Sequence, residues 1–232
     1  METVLLTRLN KAFDYKLAAA FVREGYQVFV ICNRSAQEGG PNTPSDSPNT
    51  PEGVTLLSGD LSEAAASVGK TAGKIDIYVE LSDERRPDDH FTVRDGLDEK
   101  LIRLLYEENV LRPMAALEAF IGLLDAGAGK RLCFIASADA SINESRCTYG
   151  YGYALGKAAM SNFYQMISNK LSPSGYTFRV FDPLRRELAP EAAAESAFNY
   201  FTRRRGTEGE NPLRDDETRL VFRDAYAREH AW

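Results

Sequence analysis

The sequence predicts a single α/β domain with a doubly wound parallel sheet of about seven strands. Short runs that are apolar at every position, typical of strands buried on both faces, alternate with longer segments of helical periodicity. Within the 232 residues, this alternation contains no stretch typical of a domain linker, so we take residues 1–232 as one domain. Right-handed crossovers between such strands give the doubly wound arrangement.

The apolar runs and helical patterns give a provisional set of elements. Strands are predicted at residues 4–6, 28–32, 54–57, 75–79, 132–136, 177–181 and 220–222. Helices are predicted at residues 15–24, about 97–124, and 153–170, the first of them ended by Gly25. Residues 35–53 contain the triplet Asn-Thr-Pro twice and cannot form a crossover helix, so we predict a mobile surface loop there.

Composition and charge narrow the class of function. A net charge of −6 argues against a general binder of nucleic acid or of anionic membranes. No stretch reaches the roughly 20 apolar residues of a membrane span, and the first residues do not resemble a secretory signal. The three cysteines are scattered, and His90 and His230 have no metal-ligand spacing. We therefore expect a reduced, cytoplasmic protein with no metal, no nucleic-acid partner and no membrane contact.

The segment Tyr153-Ala-Leu-Gly-Lys157 carries the clearest chemical signal. Residues four apart on a helix share one face, and a nearby ammonium favours the phenolate form of a tyrosine. Tyr153 is therefore a candidate for proton exchange nearer neutral pH. The alternative is a half-buried tyrosine packed on the stem of a lysine.

The surroundings of this pair resemble the short-chain dehydrogenase/reductase family. Ser137 directly follows the fifth strand, Asn109 lies in the helix before that strand, and Tyr153-x-x-x-Lys157 comes next. The resemblance runs from residue 4 to about residue 222 and implies a Rossmann-like fold. It implies that Tyr153 is the acid/base and that Lys157 lowers its pKa and holds the nicotinamide ribose.

The same resemblance gives roles to neighbouring residues. It implies that Ser137 orients the substrate oxygen and that Asn109 supports a proton-relay water. The loop between Ser137 and Tyr153 is longer than usual for the family, so Ser141 is the alternative to Ser137. Tyr149 and Tyr151 have no lysine four residues later, and we expect them to line the substrate mouth or to pack in the loop.

Three motifs that bind the cofactor in the family are altered. Its Thr-Gly-x-x-x-Gly-x-Gly is replaced by residues 7–14, Thr-Arg-Leu-Asn-Lys-Ala-Phe-Asp, which contain no glycine. Asp14 is predicted to cap the helix starting at Tyr15, where it fills the place of a phosphate. Glu80-Leu81-Ser82-Asp83 replaces Asn-Asn-Ala-Gly, and Pro183-Leu184 replaces Pro-Gly.

Other positions still favour a dinucleotide. Asp60 matches an aspartate that contacts adenine in the family, and Arg34 follows the second strand, where a basic residue suits a 2′-phosphate. Arg8, Lys11 and Arg34 form either a basic cluster for phosphates or three solvated charges. The resemblance implies cofactor contacts, with NADP(H) preferred to NAD(H), at Thr7, Arg8, Asn10, Lys11, Arg34, Asp60, Leu61, Lys157 and Pro183.

Two functions follow. The first is an NAD(P)H-dependent oxidoreductase that interconverts a carbonyl and an alcohol on an unknown small molecule. The second is a protein of the same fold that has lost the dinucleotide and acts as a binding or assembly subunit, or as a cofactor-free acid/base catalyst. The resemblance also implies a substrate lid and exposed loop over residues 184–218.

The resemblance further implies a homodimer or homotetramer that pairs through the helix of Tyr153 and the helix before it. These helices supply apolar positions that face either a partner or their own sheet: Leu104, Leu105, Leu117, Phe120, Met160 and Phe163. The last ten residues either reach a neighbouring subunit or cover the edge of the sheet.

Overall fold

The computed structural model describes residues 1–32, 50–184, 187–203 and 216–232, which form an eight-stranded sheet with helices on both faces. The strand order is β3-β2-β1-β4-β5-β6-β7-β8. The first seven strands are parallel and β8 is antiparallel to β7, which confirms the predicted fold class. The strands are β1 Thr3–Leu6, β2 Gln27–Ile31, β3 Val54–Leu57, β4 Ile77–Glu80, β5 Arg131–Ile135, β6 Thr177–Asp182, β7 Phe222–Asp224 and β8 Glu229–His230.

Six α-helices connect the strands in the described ranges. They are α1 Ala12–Arg23, α2 Leu61–Thr71, α3 Glu99–Tyr106, α4 Arg112–Asp125, α5 Tyr151–Leu171 and α6 Pro190–Thr202. The single helix predicted over residues 97–124 is divided by a π-helical turn, Glu107–Leu111. The helices α2 and α6 were not predicted, because many of their apolar positions are alanines, which give a weak signal of burial.

Two apolar cores lie on opposite faces of the sheet. On one face, α1 and α6 cover Val4 and Leu6 of β1. On the other, α2, α4 and α5 cover Leu5 and its neighbours. Because successive side chains of a strand point to opposite faces, a strand covered on both sides is apolar at every position. This two-sided covering is the physical reason why the strands could be recognised in the sequence.

The first turn of α1 differs from the prediction. The helix begins at Ala12, three residues before Tyr15, so Asp14 is its third residue instead of its N-cap. The buried Asp14 carboxylate accepts hydrogen bonds from the backbone N–H groups of Asn10 (3.0 Å) and Lys11 (2.9 Å). Asp14 therefore satisfies the start of the helix from inside its first turn.

The predicted lid and loops are only partly described. Residues 190–202 of the predicted lid form α6. Its Ala194, Ala197 and Phe201 are buried against the sheet, so this part of the chain belongs to the hydrophobic core. Asp216, predicted to lie in an exposed loop, is buried and binds Arg223 at 2.6 Å. Residues 33–49, 185–186 and 204–215 lie outside the described residues. No helix of the described ranges is both long enough and apolar enough to cross a membrane.

The last residues of the chain cover the edge of the sheet, one of the two placements predicted for them. The ring of Trp232 lies 5.7 Å from that of Phe222, and its carbonyl oxygen accepts a hydrogen bond from Asn143 at 2.7 Å. His230 contacts Glu144 at 2.7 Å and Asp224 at 3.1 Å. These contacts tie β8 to the loop that follows β5.

Candidate functional site

The candidate site lies where the carboxyl ends of β1, β4, β5 and β6 meet the start of α5. Parallel strands bring their carboxyl ends to one edge of a sheet, where ligands of doubly wound proteins bind. Ser137 follows β5, while Tyr153 and Lys157 lie on the first two turns of α5. The fold therefore brings these three predicted catalytic residues to one place.

An aspartate joins the phenol of Tyr153 to the ammonium of Lys157. The Tyr153 hydroxyl donates to Asp83 Oδ1 at 2.5 Å, and Lys157 Nζ lies 3.9 Å from the same oxygen. Asp83 Oδ2 also forms an ion pair with Lys11 Nζ at 2.9 Å. Asp83, Tyr153 and Lys157 are all buried, so this carboxylate interacts with them in a poorly solvated environment.

The pKa of Tyr153 moves opposite to the direction expected from the sequence. Burial raises the pKa of this phenol well above its ordinary value, the charge of Asp83 raises it further, and Arg85 opposes the rise in part. The implied lowering of this pKa by Lys157 stays a prediction, and in this arrangement burial and the carboxylate set the direction of the shift. At neutral pH the phenol keeps its proton and donates it in a hydrogen bond.

The ammonium group of Lys157 is held by backbone oxygens. Nζ donates to the carbonyl of Ile135 at 2.9 Å and to the carbonyl of Ser82. Ile135 is the last residue of β5, and Ser82 lies two residues beyond the end of β4. Lys157 therefore fastens α5 to the ends of two central strands.

Arg85 connects Ser137 with Tyr153. Its guanidinium donates to Ser137 Oγ at 3.1 Å and to Asp139 at 2.8 Å, and its central carbon lies 3.6 Å from the centre of the Tyr153 ring. Such stacking of a guanidinium on an aromatic face is a favourable cation–π contact. Ser141, the alternative to Ser137, instead accepts N–H groups of the following turn through its hydroxyl.

Asn109 holds the chain that follows β4. Its side-chain oxygen accepts the N–H of Glu84 at 2.8 Å, and its amide nitrogen donates to the carbonyls of Glu84 at 2.9 Å and Leu105 at 3.0 Å. Asn109 is buried in the π-helical turn. The contacts of its side chain identify Asn109 as a positioning residue for Glu84, and its predicted part in a water relay stays a prediction.

Three residues predicted to contact the cofactor lie against the same stretch of chain. Thr7 donates through its hydroxyl to Glu80 at 2.9 Å, and Arg8 pairs with Glu84 at 3.2 Å. Arg8 is buried, and Lys11 pairs with Asp83, so the alternative of solvated charges does not describe them. Both cations are already neutralised by acids that follow β4.

We call residues 80–85 the post-β4 segment. Its side chains and backbone bond to the four predicted catalytic residues and to three further predicted cofactor contacts, namely Asn109, Ser137, Tyr153, Lys157, Thr7, Arg8 and Lys11. The sequence shows that this segment departs from Asn-Asn-Ala-Gly, but it does not by itself place Asp83 or Arg85 at the candidate site. The signal for them was a run of charged residues directly after a buried strand.

The other predicted cofactor residues are dispersed. Asp60 caps α2 by accepting the N–H of Glu63 at 2.8 Å, and Leu61 is the first residue of that helix. Asn10 is exposed, and its backbone N–H donates a hydrogen bond to Asp14. Pro183 does reach the site, and Arg34 lies outside the described residues.

A cleft of about 280 Å³ opens above Tyr153. The side chains around it are mostly polar or charged, and they come from the ends of four strands and from α5: Lys11, Asp83, Arg85, Ala136, Ser137, Ala138, Asp139, Tyr153, Asp182, Pro183, Leu184 and Glu187. At its floor, Asp182 accepts the N–H groups of Ala138 (2.9 Å) and Leu184 (2.8 Å). Burial raises the pKa of Asp182, and these two hydrogen bonds lower it in part.

Comparison with known proteins rests on structure alone, since no protein-family model matches the chain and no curated protein matches it in sequence. The carbonyl reductase Sniffer of D. melanogaster superposes with a TM-score of 0.78 at 14% identity, covering 100% of both chains. A carbonyl reductase from Pseudomonas aeruginosa, solved in complex with NADP, gives 0.73 at 19% identity over 100% of both chains. This chain has the fold of the short-chain dehydrogenases and reductases.

The residues that line the candidate site do not fit a dinucleotide. The N–H groups before α1, which would meet a phosphate, are occupied by Asp14. Asp83 takes the place of a glycine and lies against both Tyr153 and Lys157, the residues implied to meet the cofactor's ribose and the substrate. Two carboxylates thus lie where the family places the cofactor's anionic and hydroxyl groups.

Proposed function

We propose that this chain binds one small polar molecule in the cleft above Tyr153 and works without a dinucleotide. The observation that carries the proposal is the Asp83 carboxylate, which lies between the Tyr153 hydroxyl (2.5 Å) and Lys157 Nζ (3.9 Å). A ligand that needed these two groups would have to displace a buried carboxylate from them. Removing one partner from such a buried charged cluster is costly.

The size of the cleft supports a small ligand. Its volume is about 280 Å³. Pockets that bind drug-sized molecules typically enclose about 300–1,000 Å³. A molecule considerably smaller than a dinucleotide therefore matches the space.

The chemistry of the lining supports a polar ligand with both donors and acceptors. Arg85 and Lys11 are partly exposed at the cleft and carry positive charge, while Asp139 and Asp182 carry carboxylates on its other sides. The hydroxyl of Ser137 lies between these groups. Polar groups converging in one cleft are typical of a binding site for a small molecule.

Binding is favoured over cofactor-free acid/base catalysis. The raised pKa of Tyr153 keeps the phenol protonated at neutral pH, whereas efficient proton exchange needs a pKa near the working pH. In the proposed function Tyr153 is a hydrogen-bond donor held in place by Asp83 and Arg85.

An NAD(P)H-dependent oxidoreductase is the second candidate, with NADPH preferred. It is favoured by the convergence of Ser137, Tyr153 and Lys157 at one edge of the sheet and by the fold shared with a carbonyl reductase solved with NADP. In this candidate function a carbonyl and an alcohol are interconverted. Tyr153 exchanges the proton of the substrate oxygen, and Ser137 orients that oxygen.

Titration of the purified chain separates the two functions. We expect no saturable heat with NADPH or NADH up to about 1 mM in calorimetry and no thermal shift; a dissociation constant at or below that value favours the oxidoreductase and contradicts the proposal. A thermal-shift screen of small polar metabolites is expected to give hits. Ser137→Ala should weaken the binding of these hits. Ser145→Ala should leave it unchanged, because the Ser145 hydroxyl lies in the turn that follows the cleft residues in the chain.

A further inference from the structure

We infer that the carboxylates of Asp83 and Asp14 occupy the places of a dinucleotide's polar groups. We further infer that replacing both aspartates creates a binding site for NADPH. The inference rests on the proposed function, since it explains how the chain excludes the dinucleotide. Each aspartate occupies a different end of the expected site. Asp83 lies beside Tyr153 and Lys157, and Asp14 lies at the start of α1.

Beside Tyr153 and Lys157, the Asp83 carboxylate makes the contacts that a ligand's hydroxyl and anionic groups would make. It accepts hydrogen bonds from the Tyr153 hydroxyl at 2.5 Å and from Lys11 Nζ at 2.9 Å, and Lys157 Nζ lies 3.9 Å away. Replacing Asp83 with glycine therefore exposes one phenol and two ammonium groups that have lost a shared carboxylate. Two cations that have lost their shared counter-charge attract an anionic ligand strongly in a poorly solvated site.

The loss of the carboxylate that pairs with Lys11 makes the new site reachable. Its side chain is 31% exposed and lines the cleft, whereas those of Asp83 and Lys157 are almost fully buried. Lys11 lies directly before α1, and in Asp83→Gly its ammonium can keep the backbone carbonyl of residue 83 while it loses the carboxylate. Loss of Asp83 thus supplies a phosphate-binding cation at the mouth of the cleft.

At the second end, Asp14 already binds the way a phosphate would. One of its carboxylate oxygens accepts the backbone N–H groups of Asn10 (3.0 Å) and Lys11 (2.9 Å). Backbone N–H groups at a helix start are the usual partners of phosphate oxygens. Replacing Asp14 with alanine frees both donors and removes a buried negative charge from the path of a pyrophosphate.

Four forms of the full chain test the inference: the unchanged protein, Asp83→Gly, Asp14→Ala and the double variant. Binding is followed by NADPH fluorescence and by calorimetry. We expect no saturable binding to the unchanged protein, binding to Asp83→Gly, and at least about tenfold tighter binding to the double variant. Circular dichroism checks that each form is folded, and Asp83→Ser replaces Asp83→Gly if the glycine variant is not.

Two matched controls isolate the cause. Asp83→Asn keeps the size of the side chain and one acceptor oxygen for Tyr153 but removes the charge, and Asp139→Asn removes one negative charge from the same cleft without touching Tyr153 or Lys157. Asp83→Asn is expected to bind NADPH more weakly than Asp83→Gly, because its side chain still fills the space beside Tyr153, and Asp139→Asn is not expected to bind NADPH. Binding by Asp139→Asn as tight as by Asp83→Gly would overturn the inference, because general charge would then explain it.

The outcomes distinguish the inference from the proposed function. If neither the unchanged protein nor any folded variant binds NADPH, the inference is overturned and the proposed function stands. If the unchanged protein binds NADPH as tightly as the double variant, the proposed function fails as well, because the two aspartates then exclude nothing.

Discussion

The Asp83 carboxylate accepts a hydrogen bond from the Tyr153 hydroxyl at 2.5 Å, and burial together with this contact raises the pKa that the spacing of Tyr153 and Lys157 predicts to be lowered. A phenol next to an ammonium tends to lose its proton at lower pH, whereas a phenol buried against a carboxylate keeps it. The behaviour of Tyr153 therefore depends on a residue seventy positions earlier in the chain.

We expect the phenol of Tyr153 to stay protonated through the pH range in which ordinary tyrosines ionise. Its pKa is raised well above the ordinary tyrosine value of 10.0 by burial and by Asp83, with Arg85 opposing. In an absorbance titration from about pH 9 to about pH 11, the folded Tyr153→Phe variant should show the same tyrosinate signal as the unchanged protein. In urea the variant should show the signal of one tyrosine fewer. A folded-state difference of one tyrosine near or below pH 10 would contradict this assignment.

Replacing Asn109 should loosen the post-β4 segment. Asn109→Ala removes three buried or half-buried hydrogen bonds, two of them to Glu84, and leaves those backbone groups without their partner. Loss of a buried partner costs about 1–3 kcal/mol per unsatisfied group, so urea denaturation should show a decrease of at least about 1 kcal/mol in the free energy of unfolding.

A matched control for Asn109 lies on α5. Asn169 is exposed and accepts one hydrogen bond from Gln165 at 2.9 Å. Asn169→Ala should change the free energy of unfolding by no more than about 0.5 kcal/mol. Equal effects of the two substitutions would argue against a special role for Asn109.

The attachment of β8 should weaken as pH rises. Burial lowers the pKa of His230, but hydrogen bonds to Glu144 and Asp224 outweigh this and raise it from 6.5. A pKa raised by folding stabilises the folded state fully below the unfolded pKa, and this contribution is lost as pH rises through the folded pKa. The melting-temperature difference between the unchanged protein and His230→Gln should therefore be larger near pH 5.5 than near about pH 8.5. A difference that grows with pH would refute the assignment.

The oligomer predicted from the family resemblance has a defined test. Of the apolar positions named for it, Leu105, Leu117, Phe120 and Met160 are buried in this chain's own core. On α5, Leu155 and Met166 are exposed, at 59% and 64%. They are eleven residues apart and therefore share one face of the helix.

Light scattering coupled to size-exclusion chromatography should give the mass of a dimer or tetramer for the unchanged protein. Leu155→Glu should lower that mass because it places a charge on the proposed contact face. Ile142→Glu, at an exposed position in the loop after β5, should leave the mass unchanged. A monomeric unchanged protein, or a Leu155→Glu variant of unchanged mass, would contradict the proposed oligomer.

The parts of the fold that could be predicted are those set by local pattern. Leu5 and Leu6 of β1 face different cores, so both positions had to be apolar, and the strand could be recognised. The spacing of Tyr153 and Lys157 fixes them on one helical face before anything is known of their neighbours. Ser137 was located in the same way, from the end of a buried strand.

The rest depends on contacts between distant segments. Asp83 is only a charged residue after a strand until the fold brings it to Tyr153 and Lys11. Asp14 carries a strong capping signal, and the sequence does not distinguish a cap before the helix from one inside its first turn. The buried face of α6 includes Ala193, Ala194 and Ala197, whose burial becomes evident only when α6 packs against α1 and the sheet.

The two-residue strand β8 also affects how the protein behaves at high concentration. A sheet that stopped at β7 would present unpaired N–H and C=O groups to other molecules, and such open edges template aggregation. Because β8 is antiparallel, very short and backed by the Trp232 ring, it leaves little edge for another chain to extend. Removing the last few residues should accordingly reduce solubility during refolding more than it alters the cleft, which lies at the carboxyl ends of β1, β4, β5 and β6.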